Sequence, residues 1–479
     1  MTTRLTLTGG FYEARSYIAD AQRCLNLYPE INDQNSESQV THYPTPGKTL
    51  INSVGAGPIR MIYQATTGNV FVVSGNKLFV VDGLFNATLL QTMTTFSGQC
   101  YAKDNGNYCI VVDGSVQGYR IKLSDNTSSI INSSTDSAWK PAQNIAYMDG
   151  YFICNVTGTS QWFLSDVQAE TFTNDLYFAS KEGYSDKLST IAALHREVWL
   201  IGEQTCEVFY NAGNSDFPFS RMPGVFIQHG CAAPESVAQM DLSLFLLSKD
   251  QQGQYIVHRI VGYQAVRIST HAVEEVISQY AVVSDAIGFC YQQEGHHFYV
   301  LTFPSADATW VYDLQTGKWH ERGYMDNQGV IHRDISNCHC VVNGVNHVGD
   351  YSNGNIYRLD INNYTDNGQP IMRLRSFPTL EMEDKRVLYG KMTFDMQVGI
   401  GQASGNFEDP QIFARWSDDR GVTWGTPVPI SLGKIGNYKC RPVLWRSGIA
   451  RGRVFEVSWS FPCFTALNGA WLDYKVVPR

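Results

Sequence analysis

Asn69-Val-Phe-Val-Val-Ser-Gly-Asn-Lys-Leu-Phe-Val-Val-Asp-Gly83 is the stretch on which the fold turns. Two short runs rich in β-branched and aromatic residues flank Ser74-Gly75-Asn76-Lys77. Gly and Asn there supply the positive backbone angles of a tight hairpin. Working outward, the same unit of strand, turn and strand recurs. Tyr108–Val112 runs into Asp113-Gly114, Tyr147 leads through Asp149-Gly150 into Tyr151–Val156, and Val198–Ile201 is followed by Cys206–Tyr210. Further copies pair Ser243–Leu247 with Tyr255–Ile260, Phe298–Phe303 with Trp310–Asp313, and Val341-Val342 with Asn355–Leu359.

The units start near residues 60, 100, 144, 190, 237, 285 and 337, a spacing of 40 to 52 residues. Short strands repeating at that period are the mark of a β-propeller, one four-stranded sheet per blade. The competing architecture, a pair of β-sandwiches, also has frequent strands but no reason for blade-length spacing. The expectation is an all-β chain whose propeller has six to eight blades, with seven favoured. One helix stands out: Thr270 caps His271–Tyr280, with Val273, Val276, Ile277 and Tyr280 as its apolar stripe and Glu274 and Glu275 near its positive end. Near Pro370 the character changes. Strands expected at Met392–Val398, Ile412–Trp416, Val454–Ser460 and Trp471–Val477 carry outward charges and fit a β-sandwich-like domain. The division expected is a lead-in strap over 1–55, a propeller over 56–370 and a C-terminal β domain over 371–479.

Of 479 residues, 43% are apolar, 13% aromatic and only 17% charged, which excludes a disordered chain. Nothing approaches the apolar length of a membrane span, and the N-terminus lacks the apolar core of a signal peptide. Eleven cysteines, an odd number without regular spacing, argue for reduced thiols in a protein made in a cytoplasm. Residues 371–479 hold 15 Lys/Arg against 10 Asp/Glu, net +5; the first 370 hold 21 against 35, net −14. An acidic body does not bind nucleic acid by neutralising phosphates, but it can line a passage for it.

Ser417-Asp418-Asp419-Arg420-Gly421-Val422-Thr423-Trp424 fits the pattern S-x-D-x-G-x-T-W and resembles the Asp-box of sialidases. Its physics is that of a turn formed with Ser417 and Thr423: Asp419 accepts turn N–H groups, Gly421 frees the backbone, and Trp424 packs beneath. His332, Cys338, His339, Cys340 and His347 form the one grouping rich in metal-binding side chains, but C-x-C spacing suits a strand better than a zinc site. Cys338 and Cys340 are expected to face a core and His339 to face out, and His296-His297 reads as a solvated pair at a turn. The sequence has no G-x-S-x-G, H-E-x-x-H, G-x-G-x-x-G or P-loop pattern. Neither enzymatic activity, nor a catalytic residue, nor a metal, nor a cofactor is expected. The densest positive run, Lys439 to Arg453, holds Arg441, Arg446, Arg451 and Arg453 with Trp445 and Trp459 nearby. It is expected to be an assembly interface that meets an acidic protein surface.

Leu25-Asn-Leu-Tyr-Pro29, Tyr43-Pro-Thr-Pro-Gly47, Tyr147–Phe152, Ser160–Asp166, Gly202–Tyr210, Ile268–Glu275 and Val443–Arg446 with Arg451-Gly-Arg453 together resemble the packaged-DNA stabilisation family. These are the tail accessory, or nozzle, proteins of short-tailed bacteriophages. The resemblance implies a virion tail protein assembled as a ring, usually a homohexamer, below the portal and its adaptor. It would close the DNA exit, retain packaged DNA and anchor the needle, spikes or fibres. Double-stranded DNA would pass without specific binding, and the chain would not insert into a membrane. The alternative is a tail-associated carbohydrate-binding or sialidase-like protein, for which the Asp-box and ten Trp speak.

Overall fold

The computed structural model of the chain describes residues 1–7, 22–33, 36, 38–250 and 252–477. The hairpin expected at residues 69–83 is present: Val70–Ser74 pairs antiparallel with Lys77–Val81 across Gly75-Asn76, and Gly75 has φ 55°. Ile59–Gln64 lies inside it and Ala87–Thr92 outside it, completing a four-stranded sheet. Among the described residues this plan repeats seven times. The innermost strands are Ile59–Gln64, Tyr101–Asp104, Ala142–Met148, Leu188–Leu194, Ala238–Met240, Ile287–Gln293 and Ser336–Val342. Each lies within a few residues of a start read from the sequence. The chain is a seven-bladed propeller followed by a β-sandwich.

Adjacent blades are held by apolar faces. Met61, Phe71, Val73 and Leu78 of the first interlock with Cys109, Val111, Tyr119 and Ile121 of the second. Burying such side chains contributes roughly 1.5–3 kcal/mol each. The ring closes through a strand from the N-terminal side. Gly47–Ser53 is the outermost strand of blade seven, pairing Ile356 with Asn52 and Tyr357 with Leu50. A Cβ at Gly47 would lie 2.3 Å from the Asn363 carbonyl, and one at Gly349 would lie 2.3 Å from Ile59 of blade one. Both contacts demand glycine.

The segment 1–55, read as a strap, is thus built into the body; its residues 8–21 lie outside the described residues. Thr2–Thr6 pairs with Leu467–Val477, and the hairpin of Leu27–Ile31 and Val40–Pro44 joins the same sandwich sheet. That sheet also contains Arg386–Met396 and Val443–Ala450. The facing sheet contains Arg373–Ser376, Gly452–Trp459, Gln411–Ser417 and Val428–Ser431. Between them Phe377, Met392, Phe394, Phe455, Trp459 and Leu472 are buried. The short strand Cys24–Leu25 lies parallel to Lys318–Glu321 of blade six and antiparallel to Arg373–Ser376. One hydrogen-bonded sheet therefore runs from the propeller into the sandwich.

The helix is His271–Ser278, with the Thr270 side chain accepting from the Val273 amide at 3.5 Å. Val273 and Ile277 pack among Trp310, Trp319 and Phe303. Glu274 is wholly buried and takes hydrogen bonds from Ser269 and Arg267. No helix of the described residues is long and apolar enough to cross a membrane.

Candidate assembly surface

Strand Val443–Ala450 runs along the edge of the first sandwich sheet, so the basic run read from the sequence divides by register. Trp445 faces Lys391 and Ile449 faces Leu388 on the neighbouring strand, while Leu444 and Met392 turn inward. Arg446 at φ 55° and Gly448 at φ 86° make a bulge that aims Arg446 outward. On the other side of Arg386–Met396, Trp471 lies opposite Thr393 and Arg4, whose guanidinium is 5.3 Å from the indole centroid. The outer face of this sheet carries Trp445 65% exposed, Ile449 54%, Leu388 40% and Trp471 40%. Around them stand Arg441, Arg446 and Lys475, all exposed and without an ion-pair partner among the described residues.

The other two arginines differ. Arg451 is exposed but turned to Asp384, at 3.2 Å from its carboxylate. Arg453 must be withdrawn from the expected interface, because it is 1% exposed. It donates from Nε and Nη2 to Asp418 at 2.6 and 2.9 Å, and its guanidinium lies 4.5 Å from the Tyr389 ring centroid. Its strand is central, with neighbours on both sides and cover on both faces, which hides even a charged residue once it is paired. Trp459, also expected near the patch, is in the core.

Ser417, Asp419, Gly421, Thr423 and Trp424 come together in the link from Gln411–Ser417 to Val428–Ser431. The Ser417 hydroxyl donates to Asp419 at 2.6 Å and accepts from the Gly421 amide at 2.7 Å. Asp419 also accepts from the Thr423 amide at 2.8 Å and its hydroxyl at 2.6 Å. Gly421 has φ 102°, and Arg415 stacks 4.8 Å from the half-buried Trp424. These donors, the Ser417 and Thr423 side chains first, hold the Asp419 carboxyl down at about 2. With Asp418 gripped by Arg453, neither carboxylate of the pair is free for acid–base chemistry.

Of the His/Cys grouping only His332 lies apart; Cys338, His339, Cys340 and His347 share one strand pair, Cys340 opposite His347, yet no cluster suited to a metal exists among the described residues. Cys338 and Cys340 pack against the blade seven and blade one core. His339 does not face solvent as expected: it stacks 5.6 Å from Phe289 of blade six and bonds Asn346 at 2.9 Å. His332 bridges Asp307 and Asp326 elsewhere. His296 is not a solvated turn residue either. It is 4% exposed and bonds Asp313 at 2.9 Å, because its hairpin register turns it beneath Tyr28 and Phe298. All eleven cysteines are unpaired, and seven are buried.

Down the propeller axis lies a cavity of about 520 Å³, lined among others by Tyr63, Tyr101, Lys103, Tyr147 and Phe289. That is small-molecule size, far below what a DNA duplex occupies. A duplex therefore has no path through the blades of a single chain.

Two family models match the chain in tandem. The β-propeller of bacteriophage P22 Gp10 matches residues 4–364, and the β-sandwich of the same protein matches residues 372–473. Among solved structures, the extracellular domain of a hybrid two-component system from B. thetaiotaomicron is similar at 10% identity and a TM-score of 0.43. The match covers 67% of this chain but 42% of that one, and it carries no argument about function. No curated protein matches the chain.

Proposed function

The chain belongs to the family of bacteriophage P22 Gp10, phage tail proteins of β-propeller and β-sandwich, and from that membership we propose that it is a structural part of a short-tailed phage's tail nozzle. In this reading several copies, six by analogy with the resemblance, form a ring below the portal and its adaptor. The ring closes the DNA exit, retains the packaged genome until ejection and anchors the needle, spikes or fibres. The chain is made in the host cytoplasm and ends in the virion tail.

The observation that carries the reading is the tandem match of both family models, which together span propeller and sandwich in order. Physical features support it. The first 370 residues are net −14, so a passage lined by them would not hold phosphates. Because the axial cavity of one propeller is far too small for a duplex, the passage must form between copies. The glycan-cleaving alternative needs a pair of free carboxylates flanking a sugar. The two aspartates at the Asp-box turn are engaged by Arg453 and by the turn itself, so the motif gives that alternative no support.

The test is retention. Phage particles assembled without this chain should leak their DNA, and adding the purified chain should stop the leak. Particles that hold their DNA equally well without it would contradict the reading.

A further inference from the structure

We propose that the ring is built by a head-to-tail contact. The outer sheet face of one copy's sandwich, centred on Trp445, seats on the rim of blades three and four of the next copy. The inference rests on the ring reading above and names the surfaces it leaves open.

The sandwich side is a sheet face with two tryptophans, a leucine and an isoleucine exposed around the Lys391–Asp473 ion pair, and with unpaired cations at its border. Large exposed apolar side chains gathered with charge on one face mark a protein contact, and Trp and Arg are among the residues most often found at the energetic centre of one. The occupant should therefore offer apolar side chains among unpaired acids.

The propeller has such a surface where the link from blade three to blade four, residues 181–187, meets the outer strand of blade four. Tyr184 is 48% exposed and Phe226 43%. Phe226 lies against Gly183, where a Cβ would come within 3.1 Å of its ring, which sets it beside the stretch that carries Glu182 and Tyr184. Glu182 and Glu203 are exposed without an ion-pair partner among the described residues; Glu203 is held to the same stretch by its amide on the Lys187 carbonyl at 3.0 Å, and with the exposed Lys187 the group keeps one net negative charge. Aromatic with acid on the rim thus complements aromatic with base on the sandwich. The matching sign asymmetry, +5 after residue 370 and −14 before it, makes a second copy of this chain the occupant.

Geometry adds a reason. The sandwich is joined to blade six through Cys24–Leu25, and the rim lies two to three blades away round a seven-bladed ring. The two surfaces are different parts of the chain, so the contact is heterologous. Such contacts propagate and, when the rotation closes, give rings instead of two-fold dimers. Charge steers the docking and rejects wrong registers more than it adds affinity.

The test uses the full chain in two double variants, Arg446→Glu with Lys475→Glu on the sandwich and Glu182→Lys with Glu203→Lys on the rim, and a chain carrying all four. All four positions are exposed, and unchanged melting would show that each variant is folded. Mass measurement should find that each double variant loses self-association at least tenfold, while the fourfold chain, with its charges exchanged, regains it. Double variants that assemble like the wild type, or a fourfold chain in which the two losses merely add, would overturn the contact while leaving the ring reading in place. A wild-type chain that stays at the 53.7 kDa monomer mass would overturn both.

Discussion

Arg453 grips Asp418 with a two-point contact, Nε to Oδ1 at 2.6 Å and Nη2 to Oδ2 at 2.9 Å, and ties the sandwich core to the loop that carries the Asp-box turn. The guanidinium is buried while the carboxylate is about half exposed. Arg453→Ala leaves Asp418 solvated but removes the stack on Tyr389 and the bond to the Ser447 carbonyl. The expected loss is about 2–3 kcal/mol, below the range for a wholly buried pair. Denaturant unfolding followed by Trp fluorescence measures it, and a change under about 0.5 kcal/mol, the range of ordinary surface substitutions, would show that the pair does not hold the sandwich.

Lys48 sits on the strand that closes the propeller and meets two buried carboxylates, Asp334 at 2.9 Å and Asp366 at 3.1 Å. Burial pushes both carboxyls up. At Asp334 the neighbouring Lys48 and Arg322 more than reverse this and bring it to about 2, while Asp366 stays raised. Lys48→Met strands both acids, and the expected cost is about 3–5 kcal/mol. Proteolysis should then cut preferentially near Gly47–Ser53, and an unchanged cleavage pattern would count against a closing role.

Two histidines at the seam between propeller and sandwich act in the acid direction. Burial, reinforced by Arg375 at His42 and by Arg322 at His320, lowers both imidazoles well below the usual histidine range. Below about pH 6.5 the unfolded chain takes up protons that the folded seam refuses. Stability from this source is full above that pH and declines as the pH falls. Denaturant midpoints should drop between about pH 7 and 5, with a shallower slope in the His42→Phe, His320→Phe chain. A flat profile in the wild type would refute this.

His332 works in the opposite sense. Its hydrogen bonds to Asp307 and then Asp326 raise its pKa, so its bridge between two loops is present below the unfolded value and is lost as pH rises through the raised one. An NMR titration should place His332 above free histidine, and Asp307→Asn should bring it down. No change on that substitution would remove Asp307 as the cause.

At the exposed Asp-box turn, Asp419→Ala removes the acceptor for both Thr423 donors. Hydrogen exchange at the Thr423 amide should quicken while the sandwich core keeps its protection. Equal protection in the variant would mean that the turn does not depend on Asp419.

What was legible in the sequence was local. Gly75-Asn76 and Asp149-Gly150 announce hairpins by themselves, and blade-length spacing places all seven inner strands. The Thr270 cap reads directly because the capping residue adjoins its helix. Non-local relations were not legible. Nothing near Gly47–Ser53 says that it pairs with residues about 300 positions later in blade seven, because strand pairing leaves no mark on composition. Arg453 read as surface because charge is visible in a sequence and Asp418, its partner, is not identifiable from 35 residues away. The strand Val443–Ala450 was hidden by its own bulge, where Arg446 and Gly448 break the alternation. Trp445 and Trp471 could not be told from core tryptophans without the register that sets them on one face.

The most direct test of the account is electron microscopy of the purified full chain. The account predicts rings of identical subunits, each a propeller with an attached sandwich, enclosing a central opening wide enough for a DNA duplex and bounded by several copies. Single particles of monomer size, or rings whose only opening is the axial cavity of each propeller, would contradict it.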